Sequence, residues 1–174
     1  NKIYPKKLLF DEPWLRYLTQ YPKIWLDMPN TWDRRRKQNF QDLPKNIDNE
    51  NYPKYYLRNF HHQTDGYLSD FSASIYDLQV EILFNGSADS MRRRIIKPLK
   101  EGLNNFKSRK KSSLKILDVA TGSGRTLKQL RGAFTKEKII GLDLSGSYLK
   151  EASRFISNLD GDLIELVKGN AEEL

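Results

Sequence analysis

Hydrophobic and polar positions along this chain of 174 residues fall into three regimes. Up to about residue 60 there is little periodicity: WLRYLTQYPKIWLDMPNTW and PKNIDNENYPKYYLRNF are rich in aromatics, Pro and Asn, and five of the seven prolines precede residue 50. Prolines break both helix and strand ladders, so this part reads as short helices and extended linkers. Trp14, Trp25 and Trp32 are expected to be its buried anchors. From Gly66 the period becomes helical, with Tyr67, Phe71, Ile75, Leu78 and Ile82 at three- and four-residue steps, closed by Asn85-Gly86. A second helix, capped by Ser87 or Asp89, carries Met91, Ile95, Leu99 and Leu103, and Pro98 predicts a kink or break within it.

Beyond the linker Lys107–Ser113 the pattern is that of short strands alternating with amphipathic helices. Apolar runs at 114–119, 138–143 and 163–168 predict three parallel strands in the spatial order 3-2-1, joined by right-handed crossovers. The fold class is therefore α/β: a half of a Rossmann-like sheet preceded by a mainly helical N-terminal region. The domain division places a helical, basic extension or cap at 1–111 and the sheet at 112–174. A half-sheet of this kind leaves its first strand with an open apolar edge, the expectation for a fragment of a longer protein.

Chemistry concentrates in the third regime. In LKILDVATGSGRT a strand ends in an acid, Asp118, and a glycine pair, Gly122 and Gly124, then opens a helix. Glycines let backbone approach a ligand closely, and a helix N-terminus offers unpaired N–H groups, so strand–glycine turn–helix predicts a nucleotide-cofactor site. A carboxylate just before the turn suits a cationic ligand better than a phosphate. A nicotinamide or flavin site needs a third small residue where Leu127 stands, and no Gly-Lys-Ser/Thr follows to make a P-loop. The second strand ends in Asp143, 21 residues after Gly122, the place of an acid that accepts ribose hydroxyls. After the third strand come Asn170 and Ala171.

Together LDVATGSG, GLDLS followed by SYLKEASRFI, and LIELVKGNAEEL resemble the first three motifs of the class I S-adenosylmethionine-dependent methyltransferases, of the type-11-like kind. The resemblance implies S-adenosyl-L-methionine as cofactor. It would be held by Asp118, Ala120, Thr121, Gly122, Gly124, Asp143, Leu144, Asn170 and Ala171. Two positions depart from the family pattern. Asn170 replaces the usual acid at the adenine edge, where its carbonyl can still accept. Ala120 replaces the usual first glycine, and alanine there calls for a backbone without positive φ. The segment Tyr52–Leu83 resembles the N-terminal extension of cyanobacterial and plastid members. That implies a cytoplasmic location, either cyanobacterial cytosol or plastid stroma. Its cluster of His61, His62 and Tyr67 could line a substrate pocket, or Thr64 and Asp65 could simply cap the following helix. Adjacent histidines without a third ligand do not make a metal site.

Composition narrows the rest. No cysteine is present, which removes disulfides and a cysteine nucleophile, and no apolar run nears the ~20 residues of a membrane span. Residues 1–111 carry 21 Lys+Arg against 13 Asp+Glu, whereas 112–174 carry nine of each, so the whole net charge of +8 sits in the N-terminal region. The basic clusters are 34–37, 92–94 and 109–111; they are either solvated faces or a surface for nucleic acid, an anionic membrane or an acidic substrate. The expectation is a methyltransferase with a small-molecule acceptor. RNA methylation using the basic region is one alternative, and a non-catalytic module that keeps only the cofactor fold is another. The catalytic residue is left unassigned, and this fragment alone is expected to be inactive.

Overall fold

The computed structural model describes residues 3–45, 47, 52–59, 64–107, 114–157, 159 and 163–173. A short 3-10 turn, Lys6–Leu9, leads into α1 (Trp14–Lys37), followed by α2 (Asp70–Leu83), α3 (Ala88–Arg93) and α4 (Ile96–Lys107). The alternating part then runs β1 (Lys115–Val119), α5 (Arg125–Ala133), β2 (Lys138–Asp143), α6 (Gly146–Ile156) and β3 (Ile164–Lys168). The three strands are parallel in the order β1-β2-β3, with Ile116 opposite Ile139 and Ile139 opposite Ile164. This is the predicted order and falls within one residue of the predicted spans.

Strand alternation sets the layers. Ile116 and Ile139 point to one face and pack with Leu127, Leu130 and Phe134 of the α5 region, Ile156 of α6, and Ile96 and Leu103 of α4. On the other face Leu117 and Val119 are each 46% exposed, and β1 ends the sheet on one side, paired with β2 alone among the described strands. A second cluster, Tyr17, Ile24, Ile75 and Leu78, joins α1 to α2. In turn α2 packs on α6 and α3 on α5, which seats the N-terminal helices on the helix layer of the sheet.

The N-terminal region departs from the sequence reading in several places. Residues 14–37 form one continuous helix that runs through Pro22 and Pro29, not short helices and linkers. Packing of its Tyr17–Thr31 face on α2 holds it together where local propensity opposes it. Trp14, Trp25 and Trp32 are 69%, 54% and 57% exposed, because the face turned inward carries Tyr17, Gln20, Ile24, Asp27 and Thr31 instead. The α2 helix begins three residues after Tyr67. Its cap is Ser69, which accepts from the Ser72 N–H, not Thr64 or Asp65. The second predicted helix is two, and Pro98 lies in the first turn of α4, where its missing N–H costs nothing. The α3 N-terminus is capped from outside: the Glu81 carboxylate accepts from the Ala88 and Asp89 N–H groups, at 3.2 and 3.1 Å. Asn85 and Gly86 do close α2, both with positive φ, and the Gly86 N–H donates to the Glu81 carbonyl at 2.7 Å. The Lys107–Ser113 linker lies, from 108 onward, outside the described residues.

Candidate functional site

A cavity of about 310 Å³ opens at the C-terminal edge of the sheet, where ligands of open α/β sheets bind. Each strand end supplies part of its floor: Ala120 and Gly122 after β1, Leu142–Leu144 at the end of β2, and Gly169–Ala171 after β3. Most of the residues singled out by sequence are thus brought together. Asp118, Thr121 and Gly124 lie behind this floor and shape it.

The turn after β1 is held by its own polar atoms. The Thr121 N–H donates to the Leu142 carbonyl at 2.9 Å, and its hydroxyl donates to Asp118 Oδ2 at 2.7 Å. Asp143 ties the second strand to the turn: its Oδ2 accepts from the Gly122 N–H at 2.8 Å and its Oδ1 from the Ser145 N–H at 2.9 Å. These bonds fix the turn so firmly that Ala120 adopts φ +58°, contrary to the expectation of ordinary angles there. A left-handed alanine costs about 1–2 kcal/mol, which the bonds on either side of it offset. Gly124 is needed for two reasons, its φ of +83° and a Cβ that would lie 3.0 Å from that of Ala152 on α6.

Burial also acts on the acid at the end of β1. Asp118 is held above the usual carboxylate range chiefly by burial, with the nearby Asp143 charge adding to the effect and the Thr121 hydrogen bond opposing it. Asn170 flanks the cavity, but its side chain is already engaged, since Oδ1 accepts from the Glu172 N–H at 3.2 Å and Nδ2 donates to Glu173 at 3.3 Å.

The opposite wall is built from tyrosines that the sequence reading largely missed: Tyr55, Tyr56, Tyr67, Tyr76 and Tyr148. Tyr148 packs edge-on against both Tyr67 and Tyr76, at centroid distances of 5.5 and 5.3 Å, and Tyr67 lies 5.9 Å from Tyr56. Burial pushes the Tyr67 hydroxyl up to about 12 and raises those of Tyr56, Tyr76 and Tyr148 as well, so all four are neutral phenols at physiological pH. The Tyr55-Tyr56 pair was the one available hint, because Tyr76 and Tyr148 lie on separate helices and meet only in the fold. Tyr67 was anticipated. It sits at the strands' C-terminal edge, anchored by the Ser145 hydroxyl, which donates to its carbonyl at 2.6 Å. His61 and His62 lie outside the described residues.

A further link joins the N-terminal helices to the turn. Asp77 of α2, 1% exposed, accepts a hydrogen bond from the hydroxyl of Ser123, between the two glycines. Beside it, Arg125 bonds Asp89 and Glu12, and Arg92 bonds Asp89 and Glu81. The basic cluster at 92–94 is therefore partly structural, not a solvated face: Arg93 also donates to the Leu8 carbonyl at 3.0 Å.

Compared with known families, residues 116–174 match the model of a methyltransferase domain. The match begins in β1 and takes in all three strands and the whole cavity floor. A search of the curated proteins finds no match.

Proposed function

We propose, from the methyltransferase-domain match and the cavity together, that this protein transfers a methyl group from S-adenosylmethionine to a small-molecule acceptor. One observation carries the reading: a glycine turn and the Asp143 carboxylate face a wall of neutral tyrosine rings at the sheet's C-terminal edge. The residues present suit that cofactor. The Asp143 carboxylate lines the cavity and Asp118 lies just behind its floor, so the site suits a ligand that brings a cation, as a sulfonium and an ammonium would. Aromatic faces attract such a cation, and uncharged phenols shield it from water. The cofactor supplies a methyl group already activated by its sulfonium.

The chain's own residues bind and orient. Asp143 keeps lone pairs beyond its two backbone bonds and accepts ribose hydroxyls. Leu144, Asn170 and Ala171 border the adenine edge. The turn Ala120–Gly124, with Asp118 and Thr121 beneath it, borders the amino-acid portion. Asp143 is the one charged group among the described lining residues, so the cavity works by alignment and desolvation with no general base assigned. Residues 1–111 act as the cap that supplies four of the five tyrosines, and residues 112–174 as the first half of the cofactor domain.

The small-molecule reading is preferred to RNA because Arg92 and Arg93 are spent on internal bonds and the cavity wall is aromatic and neutral. Isothermal titration with S-adenosylmethionine and its demethylated product is the test. Micromolar binding insensitive to salt is expected, and absence of binding to either compound refutes the reading. Acceptor turnover that collapses as salt rises would instead favour RNA.

A further inference from the structure

Amphipathic helices bury their apolar stripe, and α1 buries Tyr17 and Ile24 but leaves a second apolar stripe outside. Its inward face carries Gln20, Asp27 and Thr31, all buried, beside Tyr17 and Ile24. Its outward face carries Trp14, Leu18, Tyr21, Trp25 and Trp32, with exposures of 69%, 71%, 48%, 54% and 57%, and Leu26 at 79%. At 100° per residue the first five lie within about 40° of one line along the helix. All three tryptophans of the chain are on this stripe.

We infer that the outward face of α1 is a binding face for an anionic membrane surface, with the helix lying in the headgroup plane. Three observations favour lipid over another protein. The composition, Trp and Tyr with Leu, is the one that partitions to the headgroup boundary. Exposed cations precede and follow the stripe along the chain: Lys6 and Lys7 before it, and Arg35, Arg36 and Lys37 at its C-terminal end, the last two also paired with Asp33. Finally, Pro22 and Pro29 lie inside the helix and have no N–H to give the Leu18 and Trp25 carbonyls, two residues of the stripe. A dry helix–helix seam would strand those carbonyls, whereas hydrated headgroups satisfy them. Among the described residues no helix is long and apolar enough to cross a membrane.

The full chain is mixed with vesicles of phosphatidylglycerol and phosphatidylcholine, and separately with phosphatidylcholine alone. Because every tryptophan lies on the stripe, the intrinsic emission should shift to the blue and be quenched by brominated acyl chains, with the anionic vesicles only. Leu18→Ser with Trp25→Ser should lower partitioning at least tenfold while the far-ultraviolet circular dichroism of the free protein stays unchanged, both sites being exposed. Arg35→Gln and Arg36→Gln should each lower it roughly fivefold. Unquenched emission with anionic vesicles overturns the inference, whatever the variants do. So does a concentration-dependent dimer in light scattering whose tryptophans are already blue-shifted without lipid, which would assign the stripe to a second copy of the chain.

Discussion

Replacing Arg125 with Met should cost about 3–5 kcal/mol of folding stability at neutral pH, the usual penalty for removing one member of a buried ion network. Arg125 opens α5 and is only 3% exposed. Its guanidinium bonds Asp89 of α3, and Glu12 ahead of α1 at 3.1 Å, so three segments distant in sequence meet on one side chain. Carboxylate oxygens of Glu12, Glu81 and Asp89 lie within 4.8 Å of one another. Without Arg125 they face Arg92 alone. Set against a total stability of about 5–15 kcal/mol, such a loss is a fifth of the whole or more. The pH dependence distinguishes this cause from simple loss of packing. In the intact protein burial pushes Asp89 upward, but Arg125 and Arg92 outweigh it and hold the carboxyl below its ordinary range. That contribution is present above the unfolded pKa and is lost as pH falls. In the variant the balance reverses: burial and the neighbouring acids raise these carboxyls, so stability is lost as pH rises through their raised values. Urea unfolding followed by circular dichroism should therefore give a larger deficit near pH ~7 than near pH ~4.5. A deficit below about 1 kcal/mol, or one equal at both pH values, would refute the electrostatic account.

Asp143→Ala should weaken S-adenosylmethionine binding by about 1.5–3 kcal/mol in calorimetry, the worth of hydrogen bonds to a charged group, and no NAD binding should be seen before or after. Gly124→Ala should lower stability by about 2–4 kcal/mol in thermal or urea unfolding, because a left-handed backbone and a crowded Ala152 both oppose the new methyl. Adding Ala152→Gly should recover only part, since the backbone strain remains. Burial raises Asp77 above the carboxylate range, so its contribution to stability is full below the unfolded pKa and declines as pH rises through the folded one. Asp77→Asn, which can still accept from Ser123, should remove that slope from a stability–pH curve.

The alternating part of the chain was legible because its signals are local. A strand of apolar residues ending in Asp118 or Asp143, followed by a turn and an amphipathic helix, has few ways to fold, and right-handed crossovers then fix the order β1-β2-β3. The glycine turn and its acids lay where the pattern put them for the same reason. What the turn does to Ala120 was not legible, since the φ of +58° is imposed by bonds from Thr121 to Leu142 and Asp118 rather than by alanine's own preference.

The N-terminal region is where sequence and tertiary structure part company. Two prolines and scattered tryptophans argued against a long helix, and yet α1 exists because Tyr17 and Ile24 pack against Ile75 and Leu78 of α2. The tyrosine wall follows the same rule: Tyr55, Tyr56, Tyr67, Tyr76 and Tyr148 share no period, and the docking of α2 on α6 brings Tyr76 and Tyr148 together over the strand ends. Periodicity thus determined each element of the sheet and the turn that serves it, because those depend on neighbours a few residues apart. The enclosure of the site, the partners of Arg125 and the outward face of α1 depend on contacts between distant segments. Those were decided only when burial in one place outweighed local preference in another.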